Sequence, residues 1–256
     1  MEACYSPEMT SAFTAEAEKL TEVCRDIFGG EAGWITADGY PHSLALCVID
    51  SIYSTGSNYQ SVINVVNEYR EYRRAHDGDA NQDGTKELLA TFQEAGDSAA
   101  WAEIVNNRKP AHTKANAPLK AEVIRQAAEM LQNELGYLTL KDLHRACAQD
   151  ENLKALKDAW LDLPSQRSGV THNYLLILAG FQSVKPDRMV TRFIEEHIDL
   201  GGRRLTPSQA AELIKRVAEL YPTQAQRLDH VIWRHVSGRE VFREEEVVFS
   251  EEEFAK

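Results

Sequence analysis

The chain has 256 residues, 43% of them hydrophobic and 27% charged, with a formal net charge of −12. That apolar share is enough for one large domain or two small lobes and excludes a disordered chain, while the acidity, taken alone, argues against a nucleic-acid binder because phosphate contacts need Lys and Arg. Cys4, Cys24, Cys47 and Cys147 form neither a C-x-x-C pair nor metal spacing with a histidine, MEACYSPEMT has no secretory pattern, and no apolar run reaches the length of a membrane span. The expectation is a cytoplasmic protein with reduced thiols, no metal cluster, no cofactor and no membrane contact.

In chain order the pattern is helical almost throughout. Residues 14–28 are amphipathic and stop at Gly29-Gly30. PHSLALCVIDSIY, 41–53, reads as a buried helix, 59–74 as a helix with a charged end, and HDGDANQDGTK, 76–86, as a polar loop. Weaker helices are expected at 88–95 and 99–106, and the turn-rich 108–118 reads as a linker. A strong helix follows over 118–135, closing at Gly136, then 140–149 capped by Thr139, then 153–161. The remaining helices are expected at 175–179, 187–198, 208–221 behind Thr206-Pro207, and 223–237 before Gly238. EEVVFS, 245–250, is the one hint of extended structure. The class is all-α. The expected division is residues 1–40 with 115–256 as helical lobes, 41–114 as a central lobe, and 240–256 as an acidic tail. Charge follows the chain unevenly: residues 160–239 hold eleven Lys and Arg against eight Asp and Glu.

The window LPSQRSGVTHNYLLILAGFQSVKPDRMVTRFI, 163–194, sets a polar turn after Leu163-Pro164, then a buried helix, a short link, and Asp187 opening another helix. This order resembles the helix-hairpin-helix (HhH-GPD) DNA glycosylases, in which an L-P-G-x-G hairpin and a helix precede a catalytic aspartate. V-K-P-D, 184–187, resembles a variant of the aspartate motif. LALCVIDSIYSTGSNYQSVINVVNEY, 44–69, is similar to the family's first core helix and the turn after it, and RLDHVIWRHVSG, 227–238, to its last helix. The resemblance spans roughly 40–75 and 115–238. It implies a two-lobed helical bundle, double-stranded DNA as partner, a monomer, and Asp187 as the catalytic residue. Ser165 and Arg167 stand where the hairpin glycines belong, Gly169 where bifunctional members carry a lysine, and the cysteine-ligated iron–sulfur loop is missing. The implied activity is therefore monofunctional: a base is released and the strand is left uncut.

The chemistry supplies its own reason for the acid. Breaking an N-glycosidic bond builds positive charge on the sugar, which a carboxylate in a low-dielectric pocket stabilises. Lys185 and Arg188 beside Asp187 suit DNA phosphates, as do the amides and side chains of Ser165, Gln166, Arg167, Ser168 and Gly169. Tyr53, Ser54, Asn58 and His172 are the candidate base pocket. The plain alternatives stay open at each point: Asp187 as a helix cap, 165–169 as a solvated turn, Tyr53 as core. Asp50, a charge inside LALCVIDSIY, reads as a buried acid with a basic partner. Asp229, His230, Trp233 and His235 lack metal spacing. Asp79, Asn81, Asp83 and Gly84 imitate half a calcium loop, but Ala90 stands where the bidentate glutamate is needed.

Two other readings compete with the glycosylase: a DNA-binding module of the same fold without the chemistry, and an all-α interaction protein. Which base is excised stays open, between damaged bases in repair and a modified base in defence against foreign or phage DNA.

Overall fold

The computed structural model describes residues 13–36 and 39–243. Twelve α-helices run through them: α1 Thr14–Phe28, α2 Leu44–Tyr53, α3 Tyr59–Ala75, α4 Thr85–Ala95, α5 Ser98–Ile104, α6 Lys120–Glu129, α7 Leu140–Gln149, α8 Lys154–Asp162, α9 Val170–Leu178, α10 Arg188–His197, α11 Pro207–Leu220 and α12 Ala225–Val236. Two isolated β-bridges, Trp34 with Phe242 and Pro110 with Leu119, are the extended pairing among the described residues. The all-α expectation holds. The extended hint at 245–250 and most of the acidic tail lie outside the described residues.

Helix ends follow local chemistry. Ser43 caps α2 by accepting from Leu46 N, Asn58 caps α3 by accepting from Ser61 N, and Thr206 and Gln209 form a capping box ahead of Pro207. The strong helix expected over 118–135 ends its α-helical part at Glu129. It continues as a π-turn, Met130–Glu134, before Gly136 at φ 72°. The segment expected at 175–179 is the end of a longer helix, because α9 starts directly after Gly169.

Burial sorts these helices into two cores. The first takes α2 to α9, centred on α2, every residue of which is buried against α3, α6 and α9. The second joins the two ends of the described chain: α1 with Ala17, Leu20, Cys24 and Phe28 packs on α11, and α10 and α12 close around them. This differs from a central lobe over 41–114. Residues 120–179 share the first core, because α6 packs on α2, α4 and α5, and α9 packs on α2 and α8. The change of core falls between Ala179 and Val184.

Where the cores meet, Tyr40 N donates to Leu178 O at 2.8 Å. Gly39 precedes it at φ 60°, and a Cβ there would lie 2.4 Å from that same carbonyl oxygen, so only glycine lets the connection settle on the end of α9.

Candidate functional site

Asp187 lies at this meeting of cores, as the N-cap of α10. Its Oδ1 accepts from Met189 N at 2.7 Å and Val190 N at 3.3 Å, so one carboxylate oxygen is held by the helix start. The capping role is thus real, and the side chain is partly buried. Ahead of it, Val184 and Pro186 are buried, and Lys185 N donates to Asp229 Oδ1 at 3.0 Å. Asp229 stands on the buried stripe of α12. Burial first, then the neighbouring Asp187, pushes its carboxyl well above the usual carboxylate range.

Lys185 turns inward. Its ammonium rests 3.8 Å from the centre of the Tyr174 ring on α9, so this side chain of the second core is laid against the first. Burial lowers the ammonium below its ordinary value, opposed by Asp187, Asp50 and Asp229. Asp50, on α2, is 8% exposed. Tyr40 donates its hydroxyl to Asp50 Oδ2 at 2.7 Å, while Oδ1 is buried with no hydrogen-bond partner among the described residues. Burial raises the Asp50 carboxyl, with Tyr40 and Lys185 holding it back. Lys185 acts on this buried acid through its charge, and the two form no ion pair among the described residues.

Beside this group runs an aromatic seam. Tyr59, 43% exposed at the start of α3, meets Trp233 of α12 with ring centres 5.3 Å apart. The Arg239 guanidinium lies over both, at 4.6 and 5.2 Å. The arrangement is a junction of two cores carrying two carboxyls, a carboxylate cap, an inward ammonium and tyrosine walls. Such a site can stabilise developing positive charge and move protons.

A family model described as Domain of unknown function (DUF8548) matches residues 18–237. The chain belongs to this family. The match runs from within α1 to the end of α12, so the first core, nearly all of the second and the residues around Asp187 lie inside the family's unit. No curated protein and no solved structure matches the chain.

The other expected site residues distribute as follows. Ser165, Arg167, Ser168 and Arg188 are exposed and Gly169 is partly so. The amides of Ser165, Arg167 and Ser168 make no backbone hydrogen bond among the described residues, so the turn keeps donors free. Gln166 is a correction: it is 3% exposed, its Nε2 bonds Pro164 O at 2.9 Å, and Thr171 donates to its Oε1 while Trp160 donates to Thr171. It ties the turn to α8 and α9, and its side chain is not free for phosphate. Lys185 is a second, since its ammonium faces Tyr174.

The expected base pocket does not assemble around Asp187. Tyr53 is 0% exposed and bonds Asn107 O at 3.0 Å, under the Lys120 ammonium. Ser54 bonds Ser51 O within its own helix, and Asn58 is the cap of α3 at the edge of a cleft of about 340 Å³ with Ser61, Asn64 and Asn107. His172 is 3% exposed in α9. A larger cleft, about 520 Å³, lies between α4 and α6, and neither cleft borders Asp187.

The remaining motifs also find structural roles. Asp83 of the calcium-like loop is buried and bonded by Arg73 Nε at 2.6 Å and Tyr69 at 2.8 Å. His235 packs edge-on against Phe28 and Phe193, and no group of three potential metal ligands occurs among the described residues. Among those residues, no helix is long and apolar enough to cross a membrane. Tyr40, Tyr174 and Tyr59 are the residues a reading of the sequence passes over. A charge inside an apolar helix marked Asp50, whereas nothing local marks the burial of Asp229 or a tyrosine that meets these acids through the fold.

Proposed function

We propose that this chain is a DNA N-glycosylase that swings a modified or damaged base out of the duplex and hydrolyses its bond to deoxyribose. The observation that carries the reading is Asp187, a carboxylate held by helix amides at the junction of two helical cores, following a helix–turn–helix whose turn offers free amides and Arg167. A sugar placed there would develop positive charge as the base leaves. Asp187 would stabilise that charge and orient the water that replaces the base. Arg167 and Arg188, both exposed, would meet phosphates on either side. The likeness of 163–194 to the helix-hairpin-helix glycosylases supports the same assignment.

Asp187→Asn is the informative change, because asparagine caps a helix as well as aspartate does and so preserves α10 while removing the charge. With a panel of modified duplexes and phage genomes, followed by alkali to reveal abasic sites, wild-type protein is expected to release a base. Asp187→Asn should reduce release by about a hundredfold or more, the scale of losing one charge-stabilising group, with duplex affinity kept. Release undiminished in that variant removes Asp187 from the chemistry.

The burial of Tyr53 and His172 and the position of both clefts favour a second reading, a DNA-binding module of this shape without base release. It predicts duplex binding that weakens steeply with salt and no abasic product on any duplex.

A further inference from the structure

Helix α12 ends in a turn that sends the chain back along the helix. Arg239 N donates to Arg234 O at 2.9 Å and Gly238 N to His235 O at 3.1 Å, with Gly238 at φ 68°. This reversal lays the Arg239 guanidinium over Trp233 and over Tyr59, the exposed residue that opens α3. Arg192, Arg203, Arg216 and Arg227, around the second core, are each paired with a glutamate. Arg239 is exposed, and its side-chain nitrogens make no hydrogen bond or ion pair among the described residues. The rings hold the flat of the guanidinium and leave its N–H donors uncommitted. A guanidinium fixed in this way loses little freedom on meeting an anion, and its fork matches two oxygens of one phosphate.

Position matters here as much as charge. Tyr59 stands on α3, which packs in the first core, and Trp233 on α12, which packs in the second. Trp233 lies one turn beyond Asp229 on the same side of α12, about 6 Å along the axis from the acid that fixes the Lys185 backbone. The seam therefore continues the junction that carries Asp187 toward solvent.

We propose that Arg239, set on the Tyr59 and Trp233 rings, grips a phosphodiester of the DNA backbone and fastens the duplex to both cores at once. The proposal rests on the DNA reading above and adds a contact outside the turn at 165–169. An acidic protein partner would meet the same charge, but a phosphodiester is the anion that base release already brings to this junction. A phosphate contact carries no sequence information, so Arg239 serves affinity and orientation and leaves the choice of base to other residues.

The test measures binding of the full chain to labelled unmodified duplexes by anisotropy, between about 50 and 200 mM salt. Arg239→Gln should weaken every duplex by about tenfold and reduce the slope of log affinity against log salt by about 1. Arg239→Lys should keep the slope and lose part of the affinity, since an ammonium lacks the fork. Tyr59→Leu, which keeps the guanidinium and removes one of its two rings, should lower affinity at unchanged slope. In the wild-type chain, duplex should protect Arg239 from phenylglyoxal, a readout that needs no variant to fold. Equal affinity and slope in Arg239→Gln, or an unprotected Arg239, overturns the proposal. A loss confined to some sequences overturns it as well, as does protection by poly-glutamate and not by duplex, which would assign the site to an acidic partner. Base release is scored separately on a modified duplex. Release with Arg239 unprotected keeps the glycosylase and ends this contact. Protection without release on any duplex keeps the contact and ends the glycosylase, and a wild-type chain without salt-dependent duplex binding ends both.

Discussion

His172 puts an imidazole where none can be hydrated. Its Nδ1 lies 3.3 Å from Asn173 Oδ1, its Nε2 is buried without a partner among the described residues, and burial lowers its pKa to about 4 from an ordinary 6.5. Between those values the unfolded chain binds a proton that the folded chain refuses. The stability this represents is therefore intact above about pH 6.5 and falls as pH drops toward 4, by a few kcal/mol. Urea midpoints measured across that window should decline with acidity, and His172→Phe, which removes the ring nitrogens, should flatten the decline. A slope unchanged in His172→Phe would assign the acid loss elsewhere. The same residue shows a limit of the sequence. A histidine after a polar turn looks available for recognition, and only the register of α9 turns it inward. Asp50 and Asp187 were legible because a charge in an apolar helix and an acid before a helix are local signals. Lys185 was legible as a base and misleading as to direction, because cation–π contact with Tyr174 joins residues on different elements.

The turn between α8 and α9 records a compromise at the scale of one element. Ser165 adopts φ 67°, a left-handed conformation that glycine enters freely and other residues enter at a cost of about 1–2 kcal/mol. The backbone thus keeps a shape suited to glycine around a serine. Ser165→Gly should recover about 0.5–1 kcal/mol after the added freedom of the unfolded chain is counted, seen as a raised melting temperature. A lowered one would mean that the serine hydroxyl does more than its backbone loses. Helix positions were readable in advance because caps and apolar spacing are local: Thr139 before α7 and Gly29 after α1 needed no tertiary information. The π-turn at 130–134 and the early start of α9 were not, since both depend on how α6 and α9 seat against α2.

At the scale of the molecule, the two cores give the chain two places to come apart. Leu20 is fully buried between α1 and α11, in the second core alone. Leu20→Asp is expected to open that core while the first stays closed, so hydrogen exchange should quicken in α11 and α12 and stay slow in α2 and α6. Uniform loss of protection would show the cores to be one cooperative unit. The division at 179–184 was hidden from the sequence, since composition does not change there. It emerges from which apolar faces find each other.

The second core has a history as well as a shape. Arg25 reaches the Leu220 carbonyl at 2.9 Å across 195 positions of chain. During synthesis α1 must therefore wait, greasy side bare, until α11 has been made. The intervening helices can settle in the meantime. A nascent polypeptide of this layout offers a chaperone an early and lasting handle, and slow elongation past α9 prolongs that vulnerable interval.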